Sequence, residues 1–187
     1  MGYDREDVSN IVALCGGVSA PAYVFVRSKK DKSGELTSYC IVVSDEIGAR
    51  SIYYWDKDNS MPDTGRFGIL YSGSCCYQTE KTAKEAVLKL HDFFRDRRVV
   101  CFDAKETYYP LLLLFEGAAG NEPRADFIDL KESARSIFLS KTDYSLSAVK
   151  GYLGMSAEKK DNVIDELIDM YDIFLKLNRL GMLEAKS

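Results

Sequence analysis

Strict alternation and three-to-four spacing of apolar residues divide this chain into strands and helices. Residues 21–28, "PAYVFVRS", are β-branched and aromatic and predict a strand. The polar stretch "KKDKSGE" at 29–35 reads as a turn, with a second strand over 36–45 and a third, "ARSIYYW", over 49–55. Together they predict an antiparallel meander. After a loop at 56–66, "FGILYS" at 67–72 reads as a short strand or as loop.

Helical spacing appears at residues 4–15, which stop at Gly16 and Gly17. It returns at 82–96, where Ala86, Val87, Leu90, Phe93 and Phe94 share a face and Thr82 and Glu85 have capping-box spacing. His91 lies beside that stripe and reads as a surface or boundary residue. "RVVCF" (98–102) predicts a fourth strand, followed by a helix over 105–115 and a loop over 116–124. "ADFIDL" (125–130) is a short strand, and Asp129 has the position of an N-cap for a helix over 131–139. A short helix over 145–154 is closed by Gly154. The helix over 160–180 buries Val163, Ile164, Leu167, Ile168, Tyr171, Phe174 and Leu175, with Asp161, Asp165, Asp169 and Asp172 on its other side. The order is βββ-αβα followed by helices. It predicts an α/β fold whose mixed sheet extends an antiparallel βββ meander with parallel strands, flanked by helices.

Composition narrows the class. The 187 residues suit one domain over 1–187, with a helical extension at 1–20 and the terminal helix at 156–187. The longest apolar run, Leu111–Phe115, is too short to span a bilayer, and the start "MGYDREDVSN" is no secretory signal. Five cysteines, with no C-x-x-C pair, read as reduced thiols in a cytoplasmic protein. A single histidine and this cysteine spacing argue against zinc. A net charge of −4 argues against broad nonspecific duplex binding, although basic residues cluster at Arg27–Lys32 and Arg95–Arg98.

Candidate chemistry sits in "FDAKETYYPLLLLF" (102–115). A short apolar strand ends here in Asp103, Lys105 and Glu106 and enters a helix, which is a common way to hold a metal. No Gly-rich phosphate loop, nucleophile elbow or Cys-His pair supports another enzyme class.

"FIDLKESARSIFLSKTDYSLSAVKGYLGM" (127–155) resembles the middle of the DEDD family, the RNase H-like 3′–5′ exonucleases that include polymerase proofreading domains. Asp129, then Tyr144-Ser145-Leu146, then Leu153-Gly154 fall in the family's order, and the resemblance extends over roughly residues 20–178. It implies four carboxylates holding two divalent metals that activate water and stabilise the leaving oxygen. The first strand of the family carries Asp-x-Glu. Here that pair falls on Val26 and Ser28 or on Arg27 and Lys29, and neither register supplies a carboxylate. The family's strand-to-helix motif places its acid on Thr107. Its last motif, matched through "IFLKL", places an acid on Glu166 and a base on Asp161, or on Asp165 and Lys160 with a shift of one.

The leading expectation is therefore a degenerate 3′–5′ exonuclease-like domain, catalytically inactive and requiring no cofactor. It would bind nucleic acid or serve as a protein-interaction or scaffold module, with single-stranded nucleic acid or a polymerase or repair protein as partner. Arg27, Lys29, Lys30, Lys105 and Tyr108 are the candidate nucleic-acid-binding residues. Arg27, Lys29 and Lys30 read either as direct phosphate contacts or, favoured, as plain turn residues. Tyr53, Tyr54, Tyr108 and Tyr109 offer rings for stacking on bases, with core burial the expected fate of at least half of them. The alternative is an active exonuclease dependent on Mg²⁺ or Mn²⁺, with a shifted acidic site. Its ligand pool would be Asp103, Glu106, Asp129, Asp165 and Glu166, with Asp103, Asp165 and Glu166 as catalytic residues and Asp103, Glu106 and Glu166 on metal. A third reading is a generic α/β interaction domain from a larger protein.

Overall fold

The computed structural model describes residues 23–44, 49–58, 71–78, 82–88, 94, 97–119, 126–158 and 162–183. The helix expected at 4–15, His91, Lys160 and Asp161 lie outside the described residues.

A six-stranded sheet runs in the order β4-β3-β2-β1-β5-β6. β1 (Tyr23–Lys30), β2 (Leu36–Ser44) and β3 (Ala49–Asp56) form the antiparallel meander. β5 (Arg98–Cys101) joins β1 in parallel, and β6 (Phe127–Asp129) joins β5 in parallel. On the far edge, β4 (Tyr71–Gln78) joins β3 in parallel. The expected α/β fold with a mixed sheet is what the chain adopts. The first turn is tied by Asp31, whose carboxylate accepts the N–H groups of Ser33 and Glu35 at 2.9 and 3.0 Å.

Strand alternation sends successive side chains to opposite faces of the sheet, so two cores form. On one face Phe25, Cys40, Val42, Ile52 and Val100 pack under α4 (Leu130–Ile137), α5 (Leu146–Tyr152) and α6 (Val163–Arg179). On the other face Val24, Val26, Ile41, Trp55, Val99 and Cys101 meet residues of α1 (Ala83–Leu88), α2 (Ala104–Thr107) and α3 (Tyr109–Ala119). Thr82 Oγ1 accepts the Glu85 N–H at 3.2 Å, the cap that its spacing predicts.

α6 positions much of the site. Asn162 starts it by accepting the Asp165 N–H at 2.8 Å. Its stripe of Ile164, Leu167, Met170, Ile173, Phe174 and Leu177 is buried against the sheet. Phe25 is clasped edge-on by Tyr171 and Phe174, with ring centroids 4.9 and 5.1 Å away. Each fully buried aromatic or aliphatic side chain of this kind contributes about 1.5–3 kcal/mol. Gly181, at φ 65°, ends the helix in a Schellman motif, in which Met182 N–H bonds Leu177 O and Gly181 N–H bonds Asn178 O, each at 3.0 Å. Gly154, at φ 69°, closes α5 in the same way.

Several sequence-based expectations are corrected. The helix expected over 105–115 is two helices broken at Tyr108, and the second continues to Ala119 through part of the expected loop. Pro110 has no N–H for a continuous helical ladder, and Leu111 N–H bonds Tyr108 O at 3.0 Å instead. Of the short strand or loop at 67–72, Tyr71 and Ser72 are strand and belong to a longer one over Tyr71–Gln78, with 67–70 outside the described residues. "YSGSCCYQ" carries little strand propensity, and pairing with β3 decides it. Lys29 and Lys30 are strand residues, not turn residues, because β1 runs on to Lys30. Asp169, expected on the exposed acidic side of its helix, is 6% exposed.

Candidate functional site

The C-terminal end of β1, the β5–α2 junction, the start of α4 and the first turns of α6 meet on one side of the sheet. The register of β1 decides which side chains they share. Arg27 pairs with Cys40, and both face the α6 side, whereas Val26 pairs with Ile41 and faces the other core. Of the two registers open from sequence, Arg27 and Lys29 are the residues that look towards α6.

Arg27 Nε donates to Glu166 Oε2 at 2.7 Å, and its Nη1 donates to the carbonyl of Phe102 at 3.0 Å. Lys29 Nζ lies 3.4 Å from Glu166 Oε1. The one carboxylate thus sits between a guanidinium and an ammonium. These side chains are 17%, 32% and 16% exposed for Arg27, Lys29 and Glu166, so solvent screens the contacts only in part.

The other acids of the expected ligand pool are also engaged. Asp103 pairs with Lys131, and Glu106 pairs with Lys30 at 2.9 Å. Asp165 is bonded to the Asn162 amide at 2.8 Å in the cap of α6. Asp129 is the N-cap of α4, accepting Lys131 N–H at 2.9 Å, and it also accepts Asp103 N–H at 3.0 Å and Ala104 N–H at 2.8 Å. One carboxylate therefore fastens two helix starts to the end of β5. Asp103 itself takes the left-handed conformation, φ 62°, which Asp tolerates better than most residues.

Thr107 is the position on which the sequence reading expects the second motif's acid. It is 1% exposed, and its hydroxyl donates to the carbonyls of Phe102 and Asp103, at 3.1 and 2.9 Å. Its own carbonyl accepts the Ser28 hydroxyl at 2.9 Å. Thr107 locks α2 to β1 and offers no charge.

These donors do not suit a two-metal centre. Among the described residues, no three His, Cys, Asp or Glu side chains converge to hold an ion. Glu166, Glu106 and Asp103 are neutralised by cations from neighbouring elements, and Asp129 is saturated by backbone N–H groups.

Tyr108 is 2% exposed and stacks on Phe94 at 6.2 Å, so it presents no face to a base, against the expectation from sequence. Tyr54 is buried, Tyr53 half-buried, and Tyr109, at 41%, is exposed. Lys105 is exposed on α2, and Lys30 lies at the β1 end. Sequence reading missed Lys131 as the partner of Asp103, and Lys150, which is 6% exposed and bonds Asp169 at 2.5 Å. Helical spacing marks Lys150 as part of α5, but nothing in one sequence points across to α6.

A cavity of about 180 Å³ opens beside this cluster, lined by Arg27, Ser145, Ser147, Glu158, Glu166 and Asp169 with Leu146. At the end of β5, burial pushes the Cys101 thiol well above its usual range, and the negative charges of Asp129 and Asp103 push it further. It is an inert thiol, not a nucleophile.

Comparison with solved structures supplies the context. The RNase domain of the yeast Pop2 protein matches over 94% of this chain and 83% of its own, at 15% identity and a TM-score of 0.56. The nuclease domain of 3'hExo, a DEDDh family member bound to rAMP, matches over 86% of this chain and 92% of its own, at 11% identity and a TM-score of 0.53. The fold is that of the DEDD-type, RNase H-like exonucleases.

The expected resemblance therefore holds for the fold. A structure of the yeast NOT1 MIF4G domain co-crystallised with CAF1 also matches the exonuclease-like fold, over 94% of this chain and 86% of that one, at 13% identity and a TM-score of 0.50. No family model and no curated protein matches the sequence. No helix of the described residues is long and apolar enough to cross a membrane.

Proposed function

We propose that this chain is a degenerate exonuclease-like domain that does not cleave phosphodiesters and acts as a binding or scaffold module. One observation carries the reading. Arg27 and Lys29 stand on the first strand facing Glu166, where two-metal chemistry requires carboxylates. Two fixed positive charges would repel divalent cations, and Glu166 is already neutralised. Thr107, with its hydroxyl turned onto the backbone, supports the same reading.

The partner is a single-stranded nucleic acid, or a protein such as a polymerase or repair factor. The similarity to a NOT1 structure co-crystallised with CAF1 favours considering a protein partner. A cytoplasmic location and a single domain over the whole chain complete the proposal, the first supported by five cysteines with no C-x-x-C pair and the second by one continuous sheet.

The test is a titration of the purified protein with Mg²⁺ and Mn²⁺, read by thermal shift and by cleavage of single-stranded substrates. The expected result is no saturable rise in Tm at millimolar metal and no cleavage. A saturable rise, with cleavage abolished by Glu166→Ala, would establish the alternative of an active metal-dependent exonuclease with a shifted site.

A further inference from the structure

The carboxylate of Glu166 is an oxyanion held by Arg27 Nε at 2.7 Å and Lys29 Nζ at 3.4 Å. Planar guanidinium with a neighbouring ammonium is also the chemistry that recognises a phosphate. Arg27 has a second anchor in the carbonyl of Phe102, at 3.0 Å, that does not involve Glu166. Lys30 and Lys131 flank the same junction, each held by a carboxylate from another element, Glu106 and Asp103. Glu166 also borders the cavity of about 180 Å³, whose wall includes the hydroxyls of Ser145 and Ser147. The wall also carries the carboxylates of Glu158 and Asp169, the latter paired with Lys150, so a carboxylate leaving the cationic pair would turn towards the two hydroxyls and away from the acids.

We propose that Arg27 and Lys29 form a metal-free phosphate site, with the Glu166 carboxylate as its resident anion until a phosphate ester displaces it. The inference rests on the non-catalytic reading above and names the ligand class of that site. A phosphodiester oxygen would take the place of Oε2 on Arg27, and Glu166 would turn towards the cavity. Lys131 and Lys30 would then act on phosphates further along a strand. Acids usually strengthen a metal-dependent nuclease site. Here the same acid competes with the ligand, so its removal has the opposite sign.

The experiment measures binding in EDTA at low salt by NMR titration, with inorganic phosphate, adenosine monophosphate and a single-stranded oligothymidylate of about eight nucleotides as probes. The expected result is saturable binding without metal. Glu166→Gln should tighten it about three- to tenfold, as expected for removing one like charge near the ligand at the protein surface. Lys29→Ala, a partly exposed change that spares the Arg27 anchor, should weaken it by a similar factor. Equal affinity for phosphate and oligonucleotide would assign a lone phosphate ester. Tighter binding of the oligonucleotide, with a steeper salt dependence, would assign a strand. If Glu166→Gln weakens binding, if Lys29→Ala leaves it unchanged, or if wild type binds no probe, the inference falls. Cleavage that requires metal and disappears in Glu166→Gln would instead overturn the non-catalytic reading itself.

Discussion

Arg27 and Glu166 are joined by a 2.7 Å bond across 139 positions of chain, linking the first strand to the last helix. Arg27 is also held by the Phe102 carbonyl, so the bond closes a triangle of β1, β5 and α6. Truncation of Glu166 to Ala leaves a partly buried guanidinium short of one acceptor. We expect a loss of about 1–3 kcal/mol, read by urea denaturation. No loss would mean that the pair is only a screened surface contact.

The same triangle allows a reversal of charge. Arg27→Asp combined with Lys29→Glu places carboxylates opposite Glu166. The double variant should be less stable than wild type in EDTA through like-charge repulsion. It should gain a saturable rise in Tm with Mn²⁺ that wild type lacks. An indifferent response to Mn²⁺ would mean that the strand does not face the acid in the way the register indicates.

Lys150 and Asp169 form the most buried ion pair of the described residues, with side chains 7% and 9% exposed. Removal of one partner strands a charge in the core between α5 and α6. Lys150→Met or Asp169→Leu alone should each cost about 3–5 kcal/mol, and the two together should cost much less than their sum. Additive losses in a double-mutant cycle would show that the pair has no coupling.

Asp129 receives three backbone N–H groups from two helix starts. Asp129→Ala should therefore cost more than an ordinary N-cap, about 2 kcal/mol or above. Hydrogen exchange should quicken at Asp103 and Ala104 as well as at Lys131. Faster exchange at Lys131 alone would reduce Asp129 to a simple cap.

Cys101 gives a pH signature. Burial raises its thiol in the folded chain above the ordinary value of 9.0, near which it ionises when unfolded. Above about pH 9 the unfolded state releases a proton that the folded state keeps, so stability falls as pH rises. The fall approaches 1.4 kcal/mol per unit of pH for one such group. Cys101→Ala should lower the baseline through a small cavity and flatten this alkaline slope, as measured by urea midpoints between pH 8 and 10.5. An unchanged slope would place its origin elsewhere.

Part of the site was legible in one dimension. The cap role of Asp129 follows from an acid before a helical stripe. The identity of the partners did not. Lys131 with Asp103, and Lys150 with Asp169, join elements 28 and 19 residues apart. Single-sequence periodicity reports which face of an element is apolar and nothing about what crosses to it.

The sequence by itself determined the strand meander, the long apolar stripe of α6, the helix stop at Gly154, and the lack of acids in the first strand. Each of these is a local property, set by side-chain alternation, backbone φ freedom or residue identity. Only the tertiary structure decided that Arg27 and Lys29, not Val26 and Ser28, face Glu166. It also decided that Tyr108 is core and that β4 pairs with β3 despite its weak propensity. Those outcomes depend on which surfaces bury one another. A shift of one residue along a strand exchanges its two faces, and packing against α6 selects between them.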